Sequence, residues 1–184
     1  MKRVFIIHGL AADPNCNWFP WLKKELEQKG YAVFAPYMPS SRHPICGEWI
    51  EHLKTVIGDV DNNTILVGHS LGGAAILRFL EKLEKGKFVA KVFIIAGPDD
   101  NPGFPELNSF TYPPADFERI KGASDKGFVL FHSDDDPVVP FLMGQRLAKK
   151  LEAEFIALSG FGHLNAGIGD FTFPVLLDKI LEIN

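Results

Sequence analysis

Short apolar runs recur along the chain, and most are followed by a longer stretch in which apolar positions return every three or four residues. The runs at 4–8, 32–35, 64–67, 91–96, 127–132 and 154–158 read as strands, several of them continuously apolar rather than alternating. A strand that is apolar on both faces belongs in a sheet covered on both sides. The amphipathic stretches near 18–29, 47–58, 73–85, 140–151 and 173–183 read as helices whose apolar stripe can pack on such a sheet. Strands alternating with helices of this length predict an α/β fold, a parallel sheet with helices on both faces. No internal repeat or low-complexity segment is present.

One connection breaks this rhythm. Segment 97–126 separates two expected strands and contains Pro98, Pro102, Pro105, Pro113 and Pro114 together with Phe104, Phe110, Tyr112 and Phe117. A long Pro-rich connection in a compact α/β unit is usually functional or mobile. Two readings stand: a surface excursion anchored by its aromatic side chains, or a small lid over the carboxyl ends of the strands, where open α/β sheets bind ligands.

Composition narrows the class. A chain of 184 residues, 46% hydrophobic with 16 Phe and 3 Trp, is expected to form one domain, 1–184, around a substantial core. The net charge of −4 gives no reason to expect nucleic acid or an anionic membrane as partner. No apolar stretch approaches the ~18 residues of a membrane-spanning helix. The start, Met1-Lys2-Arg3 and a brief apolar run, reads as a strand rather than a secretory leader. Cys16 and Cys46 form neither a disulfide framework nor a metal motif. The expected setting is the cytoplasm, with no cofactor and no metal.

The sharpest chemical signal is Gly68-His69-Ser70-Leu71-Gly72, lying between the apolar run 64–67 and the helical run that follows. It fits Gly-x-Ser-x-Gly, the tight strand-to-helix turn that lifts a serine oxygen clear of a sheet edge. Ser70 is therefore the candidate nucleophile. A serine hydroxyl needs a base within hydrogen-bonding reach and a third group to orient that base, and in this arrangement the chain order is Ser, acid, His. Of the six histidines, His163 alone follows the last expected strand, in the glycine-rich stretch Ser159-Gly160-Phe161-Gly162. His8 and His69 sit beside turn glycines, His43 and His52 precede Ser70, and His132 ends a strand.

The acid belongs at the end of the preceding strand, where Asp134, Asp135 and Asp136 compete. Pro137 biases the residue before it to an extended backbone, which selects Asp136 and leaves the other two as turn formers. A calcium loop would need alternating ligands, a central glycine and a distal Glu, which are absent here. Acyl transfer also requires backbone N–H groups for the developing oxyanion. Leu71, just after the nucleophile, supplies one. The loop His8-Gly9-Leu10-Ala11 supplies the other, from Leu10 or, as the alternative, Ala11.

These residues resemble the α/β-hydrolase superfamily and, within it, the small serine hydrolases of the retinoblastoma-binding protein 9 and YdeN type. The resemblance is carried by Val4-Phe5-Ile6-Ile7-His8-Gly9, Trp18-Phe19-Pro20-Trp21-Leu22, the Ser70 motif with Gly73, Ser133-Asp134-Asp135-Asp136-Pro137-Val138-Val139-Pro140, and Gly162-His163-Leu164-Asn165. It implies a compact hydrolase fold with a six-stranded, mostly parallel sheet lacking the first two strands of larger relatives. By motif it implies Ser70, Asp136 and His163 as the triad and carboxylic esters as substrates. Where a pocket-protein binder needs Leu-x-Cys-x-Glu, this chain has Pro44-Ile45-Cys46-Gly47-Glu48, which argues against retinoblastoma-type binding. Leu10 after His8-Gly9 departs from the Gly-rich oxyanion loop of large lipases and argues against long-chain lipids.

Two functional classes follow. One is a serine hydrolase that cleaves small acyl substrates (carboxylic esters, with thioesters or amides as chemical neighbours) through an acyl-enzyme. The other is a binding or regulatory protein that keeps the fold with little turnover.

Overall fold

The computed structural model describes residues 1–165 and 172–183. Six strands form one sheet: β1 (Arg3–Ile7), β2 (Ala32–Phe34), β3 (Thr64–His69), β4 (Lys91–Ile95), β5 (Phe128–Ser133) and β6 (Glu154–Leu158), in the order β2-β1-β3-β4-β5-β6. Every neighbouring pair is parallel. The apolar runs are continuous because alternate residues serve different faces. Phe5 and Ile7 join one core layer while Val4 and Ile6 join the other, and Leu130 and Phe131 divide in the same way. Helices α1 (Phe19–Gln28) and α7 (Pro174–Leu181) cover one face. Helices α2 (Cys46–Ile57), α3 (Leu71–Glu81) and α6 (Phe141–Leu151) cover the other.

The strand order locates the working end. From β1 the chain crosses to β2 at one edge, then returns past β1 to β3 and continues outward through β6. The direction of winding reverses between β1 and β3, so a crevice opens where their carboxyl ends diverge, and ligands bind open α/β sheets there. The loop beginning at His8 and the turn at Ser70 leave the sheet at that point.

Boundaries shift from the sequence reading in places. β3 runs two residues further than expected, because Gly68 and His69 still pair with Ile94 and Ile95 of β4. α3 stops at Glu81, where the N–H groups of Lys82 and Leu83 turn back to the Phe79 and Leu80 carbonyls. The charged run beyond it has no apolar stripe to keep it on the sheet.

Segment 97–126 contains a 3-10 turn (Pro105–Leu107) and two short helices, α4 (Asn108–Thr111) and α5 (Phe117–Lys121). Leu107, Phe110 and Ile120 are buried, and the Phe110 ring meets Trp49 of α2 edge-on at 5.5 Å. Buried Arg78 of α3 donates to the carbonyls of Phe110 and Pro113, while Glu81 accepts the Asp116 N–H. Asp99 is gripped by Arg146 and Lys150 of α6. The aromatic side chains divide: Phe110 anchors the segment, whereas Tyr112 is 78% exposed. No helix among the described residues is long and apolar enough to cross a membrane.

Candidate active site

Ser70 stands between β3 and α3 with φ 54° and ψ −120°, a backbone conformation that side chains of L-residues rarely adopt. Such strain costs about 1–3 kcal/mol and persists only where the surroundings enforce it. Here the enforcement is steric and local. A Cβ on Gly72 would lie 2.2 Å from the Ile7 carbonyl oxygen, and one on Gly68 would lie 2.7 Å from Gly73 Cα. Because both glycines lack that atom, α3 starts against the end of β1 and the chain reverses within one residue. The Ser70 N–H is held by the Ile95 carbonyl at 2.8 Å.

The loop after β1 lies directly beside this turn, since a Cβ on Gly9 would meet Ser70 Cβ at 3.1 Å. His8 braces it with both ring nitrogens. Nδ1–H donates to the Gly9 carbonyl at 2.9 Å, and Nε2 accepts the Met38 N–H at 3.0 Å. That pattern defines a neutral imidazole, and burial pushes its pKa down. The Ala11 N–H is already engaged by the Ser41 carbonyl at 2.8 Å. Of the two N–H groups weighed from sequence, Leu10 is thus the one not committed to Ser41. The Leu71 N–H opens α3, where the first turn's N–H groups have no acceptor inside the helix.

On the far side of the sheet centre, the loops after β5 and β6 meet. His163 Nδ1 lies 2.8 Å from Asp136 Oδ2 and 3.1 Å from Oδ1, with the two side chains 8% and 0% exposed. A carboxylate only accepts, so Nδ1 carries a proton, and in the neutral ring that leaves the lone pair on Nε2. Burial alone would raise the Asp136 pKa. The hydrogen bond and charge of His163, with the Val138 and Val139 N–H groups, outweigh that and hold it below the usual carboxylate range.

The three aspartates separate into three situations. Asp134 is exposed, with its N–H on the Leu158 carbonyl. Asp135 accepts from the Ser133 hydroxyl and from the Gly162 N–H at 2.9 Å, tying the β5 loop to the residue before His163. Asp136 alone reaches the imidazole. Among the described residues, no group of three His, Cys, Asp or Glu side chains could hold a metal ion.

Further groups clamp the histidine loop, and their roles were not legible in the sequence. His69 Nε2–H donates to the His163 carbonyl at 2.9 Å, and Trp18 Nε1–H donates to the Leu164 carbonyl at 3.0 Å. The His69 and His163 rings lie 5.0 Å apart, and burial, aided by the nearby His163, pushes the His69 pKa down to about 3. The only signal for His69 was its place in the motif, which says nothing of its partner 94 positions away. Cys46, at the start of α2, is only 8% exposed, so the segment compared with a pocket-protein motif does not present its thiol.

The profile of the family described as serine hydrolase matches residues 4–180. The YdeN hydrolase of Bacillus subtilis (strain 168) is 34% identical over 180 residues, 97% of this chain and 94% of the relative. The crystal structure of the B. subtilis ydeN gene product superposes with a TM-score of 0.94, at 32% identity, covering 100% of this chain and 98% of that one. The serine hydrolase RBBP9 of Rattus norvegicus is 30% identical over 149 residues, 80% of this chain and 77% of the relative.

Proposed function

The chain belongs to the serine hydrolase family, and on that premise we propose that it cleaves small carboxylic esters with Ser70 as nucleophile, His163 as base and Asp136 as the acid that orients the base. The observation that carries this reading is the Ser70 backbone at φ 54°, flanked by Gly72, where a Cβ would run into the end of β1, and Gly68, where a Cβ would run into Gly73. Strain of this kind, kept at a serine where the sheet opens, marks a group presented for reaction.

The steps follow from the tautomers. His163 Nε2 takes the proton from Ser70 Oγ as the oxygen attacks the substrate carbonyl carbon. Negative charge collects on the carbonyl oxygen and is received by the N–H groups of Leu71 and Leu10. Nε2 then gives its proton to the departing alcohol oxygen, leaving the acyl group on Ser70. Water repeats the sequence in reverse, giving up a proton to His163 and releasing the carboxylic acid. Asp136 stays ionised throughout and stabilises the imidazolium that forms twice per cycle.

Segment 97–126 is read as a fixed wall more than a lid, because Arg78, Glu81, Arg146 and Lys150 hold it at several points. A fixed wall on a small unit favours short acyl groups. The test is labelling with a fluorophosphonate probe, followed by turnover of acetyl to palmitoyl esters. Ser70→Ala is expected to abolish labelling and turnover, and acetyl to hexanoyl esters are expected to react fastest. Labelling of Ser70→Ala at the wild-type level overturns the nucleophile. A palmitoyl ester hydrolysed best overturns the wall, and a wild-type protein that neither labels nor turns over would favour a binding role.

A further inference from the structure

Asp136 is met by more than the base. Its Oδ1 accepts the Val138 and Val139 N–H groups at 2.8 and 2.9 Å, and His163 Nδ1 approaches Oδ2 at 2.8 Å. A second imidazole reaches that same oxygen. His132, on β5, has Nε2 3.4 Å from Asp136 Oδ2 and 2.9 Å from the Val139 carbonyl oxygen. Both side chains are out of solvent, at 1% and 0% exposure.

The surroundings dictate the tautomer. Both neighbours of Nε2 are acceptors, so Nε2 must carry the proton. The opposite tautomer would turn a lone pair on two oxygens and point Nδ1–H at nothing, since buried Nδ1 has no partner among the described residues. α6 clamps the ring. Phe141 meets it edge-on at 6.0 Å, and a Cβ on Gly144 would lie 2.3 Å from Nδ1. Only glycine lets the helix come this close. An ionised carboxylate has about four lone-pair sites; three N–H groups are hydrogen-bonded to Asp136, and His132 Nε2 stands 3.4 Å away on the remaining side.

We propose that His132 is a positioning residue for the acid: one Nε2–H, shared between the Val139 carbonyl and Asp136 Oδ2, locks the turn that aims Asp136 at His163. This rests on the reading of Asp136 as the acid. The shared N–H also places the positive end of a dipole beside the Asp136 carboxylate. Asp136 and His163 are the charged or titratable groups acting on His132 from their loops, and His69 faces His163 from β3. Phe141 and Gly144 of α6 bring no charge.

The test uses the whole protein with p-nitrophenyl acetate, reading kcat and KM separately across pH, with fluorophosphonate labelling rates in parallel. His132→Phe keeps a ring but removes the N–H. It is expected to lower kcat and the labelling rate on the order of 10-fold, the worth of one hydrogen bond to a charged group, with KM little changed. His132→Gln, which restores an N–H donor, should recover most of the loss. Gly144→Ala, whose new Cβ would press on the ring, should reproduce the defect in part. A loss confined to melting temperature, with kcat and labelling rate per folded molecule unmoved, overturns the proposal.

Nitrogen-15 NMR of the wild-type imidazoles decides the matter even if the variants fail to fold. At pH 8 the neutral His132 ring should carry its proton on Nε2, and a neutral ring protonated on Nδ1 instead overturns the proposal. Asp136→Asn is run alongside. If it keeps wild-type kcat, the acid assignment itself fails. If it is inactive while the His132 variants behave as wild type, only the role of His132 falls.

Discussion

At the end of β3, Ser70 is held by backbone alone: φ 54°, an N–H on the Ile95 carbonyl, Gly72 packed against the end of β1 and Gly68 against Gly73. At the ends of β5 and β6, Asp136 and His163 are held by side chains. A buried carboxylate, three neighbouring imidazole or hydroxyl groups and an indole N–H bind two loops that have little regular structure of their own. The first region is insensitive to charge and intolerant of volume. The second is the reverse, since its energy lies in hydrogen bonds and proton positions in a place closed to water. Under the proposed mechanism a serine needs a fixed oxygen, whereas a base needs a fixed tautomer, and each region would use the means suited to that task.

The largest expected effect comes from adding one methyl group to the backbone-held region. Gly72→Ala sets a Cβ 2.2 Å from the Ile7 oxygen and 2.6 Å from the His8 oxygen, both main-chain atoms that cannot rotate away. A loss of about 3 kcal/mol or more in urea unfolding is expected, with labelling of Ser70 abolished. A change within about 1 kcal/mol would break the comparison, because the turn would then be adjustable.

The side-chain-held region is challenged by charge at constant shape. Asp136→Asn should fold normally and lose on the order of 10²-fold or more in kcat, because the amide neither stabilises imidazolium nor enforces the Nδ1–H tautomer. Asp135→Asn keeps an oxygen for Gly162 and should lose less than about 10-fold, and Asp134→Asn less again. Steady-state kinetics on the three variants side by side give the order. If Asp134→Asn or Asp135→Asn is the inactive one, the acid must be reassigned.

The smallest expected effect is one of pH on stability, and it belongs to the second region and the His8 brace. His69 titrates near 6.5 when unfolded and about 3 when folded, and burial also lowers His8 and His132. In the window between about 3 and 6.5, the unfolded chain binds protons that the folded one refuses, so stability falls as pH drops below 6.5. Each fully shifted histidine contributes up to about 1.4 kcal/mol per pH unit. Asp136 acts lower: its depressed pKa stabilises the fold above the usual carboxylate range, and that is lost only in stronger acid. Melting temperatures at pH 7 and pH 5 should differ, and His69→Gln should reduce the difference. Equal melting temperatures would show that these imidazoles are not buried as neutral groups.

Most of the fold was legible because its signals are local. Continuous apolar runs mark strands buried on two faces, and the six expected strands all form. The misses have physical causes. Five prolines hid the 3-10 turn, α4 and α5 within 97–126, since these short elements are held by Arg78, Glu81 and Phe110 rather than by propensity. The sequence reading favoured Leu10 over Ala11, but its reason to do so lies in the Ser41 carbonyl, thirty positions away on another loop.

By itself, the sequence determined the layered α/β architecture, the strained turn at Ser70 and the chain order of serine, aspartate and histidine. These depend on residues within a few positions of one another: hydrophobic period, the missing Cβ of Gly68 and Gly72, the placement of loops after strands. The tertiary structure decided which aspartate meets His163, which N–H of the β1 loop is taken by the Ser41 carbonyl, and that His69 and Trp18 hold the loop of His163 while His132 lies beside Asp136. Those outcomes rest on hydrogen bonds between groups that only sheet register brings together, as when β5 and β6 align Ser133 with Leu158 and their two loops are brought into contact. Periodicity carries no information about such pairs, because a buried N–H chooses its acceptor by distance in space and not by position in the chain.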